Sequence, residues 1–235
     1  MLVIALCKGR FLDPSLDILS RAGIRFSDDV ATSRKLIFET EDKRHRAVLV
    51  KPADVPTYVE YGAADLGIAG IDVLLESRAD VLQPLALNFG HCKIAVAGLK
   101  SGDGGIGVRP LVPYRTGTQG TRGLTPMPPS PDFADHPTIR IATKYPRITL
   151  DYYNARGIPV EIIPLSGSIE LAPLIGLADR IVDVVETGRT LKENGLEVLE
   201  VIAESSARLV INRAGYQTKR QEVLELIQAL EKAVQ

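Results

Sequence analysis

The chain has 235 residues, of which 45% are hydrophobic, and 28 Lys and Arg stand against 29 Asp and Glu for a formal net charge of −1. This length suits one compact unit or two small lobes with a sizeable core, and the balanced charge argues against a nucleic-acid-binding protein. No apolar run reaches the roughly 18 residues that a membrane-spanning helix needs, and the first residues lack the pattern of a signal peptide. We therefore expect a cytoplasmic protein without a membrane or nucleic-acid partner.

The two cysteines, Cys7 and Cys92, lie in separate apolar runs. Their positions do not give the spacing of metal ligands, and apolar surroundings favour buried free thiols over a disulfide. We expect a reducing compartment and assign no residue as a metal ligand.

The first predicted elements are a strand, a basic turn and a helix. Residues 2–7 form an apolar run of strand length, Lys8 and Arg10 lie in the turn that follows, and residues 13–23 have the start and stop signals of a helix. In open α/β sheets, ligands bind outside the carboxyl ends of the strands, so Lys8 and Arg10 would project into a cleft. The plainer alternative is a solvated basic turn.

A pair of strands comes next, at residues 36–40 and 47–51, separated by a charged turn. This pattern predicts a hairpin or an adjacent strand pair. Arg34 and Lys35 directly precede the first strand, a position that normally indicates a solvated strand start. His45 lies in the charged turn and is expected at the surface.

Residues 54–61 predict a short helix and residues 66–70 a strand that contains glycines. Glycines in a strand indicate that a ligand or another backbone packs closely there. Asp72 is expected to cap the next helix, and residues 81–87 and 92–99 are further strand-like runs.

Residues 101–137 differ from the rest of the chain in composition. They hold seven glycines and seven prolines and show no sustained periodicity, which is typical of an irregular or disordered segment. We expect a flexible surface insertion, functional if it lies at a subunit contact and otherwise simply tolerated. His136 belongs to it.

Strands and helices alternate again after this segment. Strands are predicted at residues 138–143, 160–165, 197–204 and 207–212, and helices at 148–156 and around Glu170. The tail from Thr218 is an amphipathic helix, with one apolar face formed by Val223, Leu226, Ile227, Leu230 and Val234. Alternation in both halves predicts an α/β fold of two lobes with a cleft between them.

The most informative stretch is a β-branched run at residues 178–185 followed by the loop 186–190, E-T-G-R-T. The run is typical of a buried parallel strand, and the loop opens a helix whose first N–H groups would suit a phosphate. Gly188 lets the backbone come close, Thr187 and Thr190 add hydroxyl donors, and the acids Asp183 and Glu186 are natural partners for ribose hydroxyls. The ordinary alternative is a helix start with a hydroxyl cap.

The stretch from residue 170 to residue 191 resembles the signature of the ATP phosphoribosyltransferase family. The matching positions are Glu170, Gly176, Ala178, Ile181, Asp183, Thr187, Gly188, Thr190 and Leu191. Further blocks resemble the family at residues 8–10 (K-G-R), 33–38 (S-R-K-L-I-F), 54–68, 142–146 and 161–173, whereas the segment 101–137 departs from it.

This resemblance implies a two-lobed architecture like that of type II periplasmic binding proteins. We place lobe I at residues 1–90 and 196–235 and lobe II at 91–195. It also implies transfer of the 5-phosphoribosyl group from phosphoribosyl pyrophosphate to N1 of ATP, with release of pyrophosphate, as the first step of histidine biosynthesis. Mg²⁺ would enter with the substrate phosphates.

The resemblance also implies roles for individual residues. Asp183 and Glu186 would hold the ribose hydroxyls. Thr187, Gly188, Arg189 and Thr190 would hold the 5-phosphate, and Glu170 would face the ribose or Mg²⁺ or cap its helix. The charge on pyrophosphate and the ATP phosphates would be met by Arg10, Arg34, Lys8 and Lys35, and the nucleotide would also lie near Asp65, Leu66 and Gly67.

The family's long form continues into a histidine-binding regulatory domain, which has no counterpart in this sequence. The chain therefore resembles the short form, and we expect a homodimer within a larger hetero-oligomer that includes a regulatory subunit similar to histidyl-tRNA synthetase. Two other classes stay open: a solute-binding module, which shares the architecture, and a purine-base phosphoribosyltransferase, which uses a similar loop.

Overall fold

The computed structural model describes residues 1–100 and 138–234, and they form two compact units. The first unit takes the described residues within Met1–Ala95, Val184–Thr187 and Val201–Gln235, and the second takes those within Val96–Asp183 and Gly188–Glu200. The predicted insertion at 101–137, with His136, lies outside the described residues.

A six-stranded sheet organises the first unit, in the order β2-β3-β1-β4-β11-β5. Its strands are β1 (Leu2–Cys7), β2 (Ile37–Glu39), β3 (His45–Val50), β4 (Leu66–Gly70), β5 (Val81–Ala86) and β11 (Ala207–Asn212). Strand β1 runs parallel to β3 and β4, whereas β2 is antiparallel to β3 and β11 is antiparallel to β4 and β5. The predicted hairpin of β2 and β3 is therefore confirmed.

Helices cover this sheet because their apolar stripes need a partner surface. They are α1 (Leu12–Arg21), α2 (Val55–Glu60) after the 3₁₀ turn Pro52–Asp54, α3 (Ile71–Ser77), α7 (Arg213–Thr218) and α8 (Arg220–Val234). Helix α8 packs against α1 and β5, and α2 packs against β4, β11 and β1. The predicted apolar face of α8 is confirmed, since its buried residues include Val223, Leu226, Ile227 and Leu230.

One apolar core holds the first unit together. Central strand residues such as Leu2, Ile4, Leu66 and Ile68 are at most 1% exposed. Burying an aliphatic side chain of this size contributes about 1.5–3 kcal/mol each, before the loss of chain entropy is counted. The core therefore fixes the strand ends that carry the basic turn.

The second sheet has five strands in the order β10-β6-β9-β7-β8. They are β6 (Cys92–Leu99), β7 (Ile139–Thr143), β8 (Val160–Pro164), β9 (Arg180–Val185) and β10 (Leu196–Ser205), with helices α4 (Pro146–Asn154), α5 (Leu171–Leu174) and α6 (Arg189–Glu193). Strand β7 runs parallel to both β8 and β9. The carboxyl ends of these three strands consequently lie at one edge of the sheet.

Three local expectations need correction. The predicted helix start at Asp13 and the predicted cap at Asp72 are not the N-cap positions. Helix α1 starts at Leu12 after Phe11 and α3 starts at Ile71 after Gly70, so both acids lie in the first turn. His45 is not a surface residue: it opens β3, is half-buried, and its Nδ1 is buried without a hydrogen-bond partner. The charged turn is shorter than expected because β3 pairs with β1 from His45 onward and with β2 from Arg46 onward.

No helix in the described ranges is long and apolar enough to cross a membrane. Both cysteines are free and buried, as expected.

Candidate functional site

Lys8 and Arg10 lie at the carboxyl edge of the first sheet, directly after β1. Gly9 between them has φ +95°, a conformation that favours glycine and turns the chain sharply toward α1. The backbone N–H of Lys8 donates to the carbonyl of Val50 at 3.1 Å, and both basic side chains are exposed. The predicted strand, turn and helix thus present two cations at one strand end.

Arg10 makes two directed contacts. Its Nη1 donates to Oε2 of Glu186 at 3.2 Å, and its Nη2 donates to Sγ of Cys92 at 3.5 Å. Its guanidinium carbon also lies 5.4 Å from the centre of the Phe11 ring. Arg10 therefore connects the turn after β1 to Cys92 and Glu186, which belong to the same compact unit.

Phe11 is held by its own packing. Its ring meets Phe89 edge to face at 5.5 Å, and a Cβ on Gly90 would come within 2.5 Å of Phe11 Cε1. Only glycine at position 90 leaves room for this ring, and φ +68° there also favours glycine. The Phe11 ring, which lies against the Arg10 guanidinium, is therefore closely packed.

Asp72 is a buried carboxylate at this same edge that sequence reasoning treated only as a helix cap. It is 5% exposed, lies just after the carboxyl end of β4, and accepts a hydrogen bond from Ser205 Oγ at 2.7 Å. The sequence feature that indicates Asp72 as a site residue is its position two residues after a glycine-containing strand, and the structure shows that this strand runs parallel to β1.

Arg34 and Lys35 reach the same edge by strand pairing. Strand β2 runs antiparallel to β3, and the Leu49 N–H donates to the Leu36 carbonyl at 2.8 Å, so the residues before β2 lie where β3 ends. Lys35 pairs with Asp28 at 2.7 Å. Arg34 is exposed and has no ion-pair partner within the described part of the chain. Its cation is available to a ligand.

The loop 186–190 follows β9, as the sequence predicted. Gly188 has φ +71° and precedes α6, so its left-handed backbone makes the turn into the helix. Thr187 and Thr190 are exposed, and Arg189 pairs with Glu193 at 2.7 Å. The loop thus combines exposed hydroxyls, a cation and the Glu186 carboxylate within five residues.

Asp183 is half-buried within β9, three residues before Glu186. Glu170 precedes α5 at the N-cap position, but its side chain makes no capping hydrogen bond. It follows β8, whose carboxyl end shares an edge with those of β7 and β9. The capping alternative for the Glu170 side chain is therefore wrong, and its role toward ribose or Mg²⁺ stays a prediction.

Asp65, Leu66 and Gly67 are not brought to the basic edge. Asp65 lies at the amino end of β4, accepts the Val3 N–H at 2.8 Å and pairs with Lys219 at 2.8 Å. Leu66 and Gly67 are buried inside the sheet. Their assignment to ATP stays a sequence prediction, while the structure gives each of them a packing or ion-pair role.

Thiolate chemistry is disfavoured at this edge. Burial raises the pKa of Cys7 to about 11, against a partial opposing effect of its backbone hydrogen bond and of Arg10. Across residues 1–100 and 138–234, no group of three or more His, Cys, Asp or Glu side chains is placed to hold a metal ion. The site therefore offers cations, hydroxyls and carboxylates that suit a phosphorylated polyol.

The sequence matches known proteins of one family. The family model for ATP phosphoribosyltransferase matches residues 51–232. An ATP phosphoribosyltransferase of Geobacter metallireducens is 44% identical and covers 99% of this chain and 98% of its own, and one of a Geobacillus species is 45% identical over 100% and 99%.

Solved structures agree with this result. A chain of the ATP phosphoribosyl transferase (HisG:HisZ) complex from Thermotoga maritima is 35% identical, with a TM-score of 0.78 over 100% of this chain and 98% of that one. The ligand-binding core of GluR0 from Nostoc punctiforme has a TM-score of 0.53 at 16% identity, covering 99% and 92%, and shows likeness of fold alone. The expected type II periplasmic-binding-protein-like α/β fold is confirmed. The chain belongs to the ATP phosphoribosyltransferase family.

Proposed function

We propose that the loop 186–190 and the basic edge formed by Lys8, Arg10 and Arg34 bind phosphoribosyl pyrophosphate. The reaction follows from the family: the chain transfers the 5-phosphoribosyl group to N1 of ATP and releases pyrophosphate, the first step of histidine biosynthesis. The observation that carries the proposal is the 3.2 Å contact between Arg10 and Glu186, since it places the first loop carboxylate beside a cation of the basic edge within one compact unit.

The chemistry needs cations more than a base. Neutral adenine N1 has a free lone pair, so it attacks the ribose carbon without losing a proton. Negative charge develops on the departing pyrophosphate as the C1–O bond opens, and fixed positive groups lower the barrier by stabilising it. Arg10 and Arg34, with Lys8 and Lys35 nearby, supply that charge.

The loop would position the sugar. Asp183 and Glu186 accept hydrogen bonds from the ribose hydroxyls, and Thr187, Gly188, Arg189 and Thr190 donate to the 5-phosphate from side chains and backbone. Holding the ribose by both ends presents its C1 to the incoming base, which reduces the entropy lost in the transition state.

Mg²⁺ would be carried by the pyrophosphate and ATP phosphates. Glu170 is the one carboxylate assigned to it as an alternative to the ribose, and carboxylate oxygen is the ligand type that Mg²⁺ prefers. The ion would neutralise part of the charge on the leaving group.

A regulatory partner is the second part of the proposal. The Thermotoga maritima relative is solved as a HisG:HisZ complex. We infer that this chain also assembles with a regulatory subunit. The expected assembly is a homodimer within a hetero-oligomer that contains a subunit similar to histidyl-tRNA synthetase.

Pyrophosphate release tests the proposed function. The purified chain is mixed with phosphoribosyl pyrophosphate, Mg²⁺ and either ATP, adenine or guanine, with and without the synthetase-like subunit. Release that requires ATP is expected. Release with a free base instead would indicate a purine-base phosphoribosyltransferase, and no release in any mixture would favour a solute-binding module.

A further inference from the structure

We infer that Arg10 is a positioning residue for Glu186, and that this pair gives the site its selectivity for a 5-phosphorylated pentose with a free vicinal diol. The inference rests on the proposed function. Besides its proposed direct contact with pyrophosphate, Arg10 would act on the sugar through Glu186.

The guanidinium is fixed at more than one point. Nη1 donates to Glu186 and Nη2 donates to Cys92, while the plane lies near the Phe11 ring. Because the guanidinium is rigid and planar, two directed donors together set its orientation. The direction in which Nη1 points is thereby determined.

The anchors of Arg10 are buried, and Glu186 is not. Cys92 is 6% exposed and begins β6, and Phe11 is 7% exposed and packed against Phe89. The Glu186 side chain, by contrast, is 62% exposed and lies in a loop. Arg10 therefore orders Glu186, and the reverse does not hold.

In this arrangement, Glu186 can still accept hydrogen bonds from the hydroxyls of a sugar. Only its Oε2 contacts Arg10, whereas an ionised carboxylate has about four acceptor positions. Two neighbouring hydroxyls can donate to the remaining positions. Ordering the carboxylate beforehand reduces the entropy lost when the diol binds.

The test compares two sugars that lack pyrophosphate. Calorimetry measures binding of ribose 5-phosphate and 2-deoxyribose 5-phosphate to the full chain and to the variants Arg10→Met, Glu186→Gln and the double variant. Wild type should prefer ribose 5-phosphate by about tenfold, as for a hydrogen bond to a charged acceptor. Arg10→Met should reduce this preference about two- to fivefold, the range for an exposed ion pair.

The double variant separates positioning from a general effect. Since Arg10 acts through Glu186, the double variant should show the same preference for ribose 5-phosphate as Glu186→Gln alone. A matched control pair, Arg44→Met and Glu225→Gln, removes another exposed ion pair of 3.4 Å and should leave the preference at its wild-type value.

Three results would overturn the inference: equal affinity of wild type for the two sugars, no measurable binding of either, or an unchanged preference in Arg10→Met. Titration with phosphoribosyl pyrophosphate distinguishes this from failure of the proposed function. A wild-type chain that neither binds it nor releases pyrophosphate fails the proposed function. If the wild-type chain binds phosphoribosyl pyrophosphate and releases pyrophosphate, but Arg10→Met keeps the wild-type preference for ribose 5-phosphate, only the positioning role of Arg10 is refuted.

Discussion

The backbone N–H of Lys8 donates to the carbonyl of Val50 at 3.1 Å, which joins the turn after β1 to the end of β3. A second bond, from the Leu49 N–H to the Leu36 carbonyl at 2.8 Å, brings the start of β2 to the same edge. Arg34, far from Lys8 in sequence, is thereby brought to the same edge of the sheet, with the end of β3 between them.

Arg34→Ala should lower kcat by about 10²-fold while changing KM for ATP by less than about threefold. The reason is that a cation facing the leaving group stabilises charge that appears only in the transition state. Steady-state kinetics with varied ATP and phosphoribosyl pyrophosphate measures both constants. Equal losses in turnover and nucleotide binding would contradict a transition-state role.

Arg25→Ala is the matched control for this variant. Arg25 is also an exposed arginine, but its carbonyl accepts from the Glu41 N–H, beyond the opposite end of the hairpin. Its removal should leave both kinetic constants at their wild-type values.

Asp65→Asn should destabilise the first unit by about 1–3 kcal/mol. Asp65 is buried, and the substitution leaves the Lys219 ammonium without its counter-charge, which costs more than loss of an exposed pair. Urea unfolding measures the change. Asp80→Asn, which removes an exposed partner of Arg213, should change the free energy of unfolding by less than about 0.5 kcal/mol. Equal destabilisation by Asp65→Asn and Asp80→Asn would refute the structural role of Asp65.

Gly67→Ala should also destabilise the fold, by about 1–3 kcal/mol. An added Cβ would lie 2.8 Å from Val55 Cγ1 and 2.9 Å from Val59 Cγ2, so α2 would have to shift away from β4. Thermal unfolding tests this, with Gly167→Ala as the control, since no atom lies within 4 Å of the Cβ there. Normal stability of the Gly67 variant would show that ligand access, not packing, explains this glycine.

Stability should fall as the pH drops below about 6.5, with His45 as one source. Burial lowers the pKa of His45 from 6.5, an effect that Arg44 and the amino terminus reinforce and that Asp42 and Glu222 oppose. The unfolded chain then binds a proton more readily than the folded chain, so the contribution is complete above pH 6.5 and is lost below it. Urea unfolding measured at a series of pH values tests this. His45→Gln should flatten the pH dependence of the free energy of unfolding below pH 6.5, and an unchanged slope would exclude His45 as a source of it.

The parts of the site that lie on one continuous segment could be predicted from the sequence. A strand followed by a basic turn placed Lys8 and Arg10 correctly at a carboxyl edge, and the loop around Gly188 has the backbone turn that its composition indicated. Both predictions depend only on local patterns, and such patterns are visible without the partner strands.

The remaining features depend on pairing between distant segments. Arg34 precedes a strand, and only the antiparallel pairing of β2 brings it to the edge where β1 and β3 end. Asp65 also precedes a strand, but β4 is parallel to β1, so Asp65 lies at the opposite edge with Lys219. A single sequence does not show strand direction, and for this reason the two residues could not be distinguished.

Hydrogen exchange with and without phosphoribosyl pyrophosphate shows directly whether the loop 186–190 and the turn after β1 bind this substrate, because it locates the ligand on the backbone. Bound ligand should slow exchange in peptides covering residues 186–190 and 8–10, because these are the loop and the turn proposed to contact it. The amino end of β4 at Asp65 should show no change. Protection confined to Asp65 and its neighbours, with none in the loop or the turn, would show that the substrate binds elsewhere.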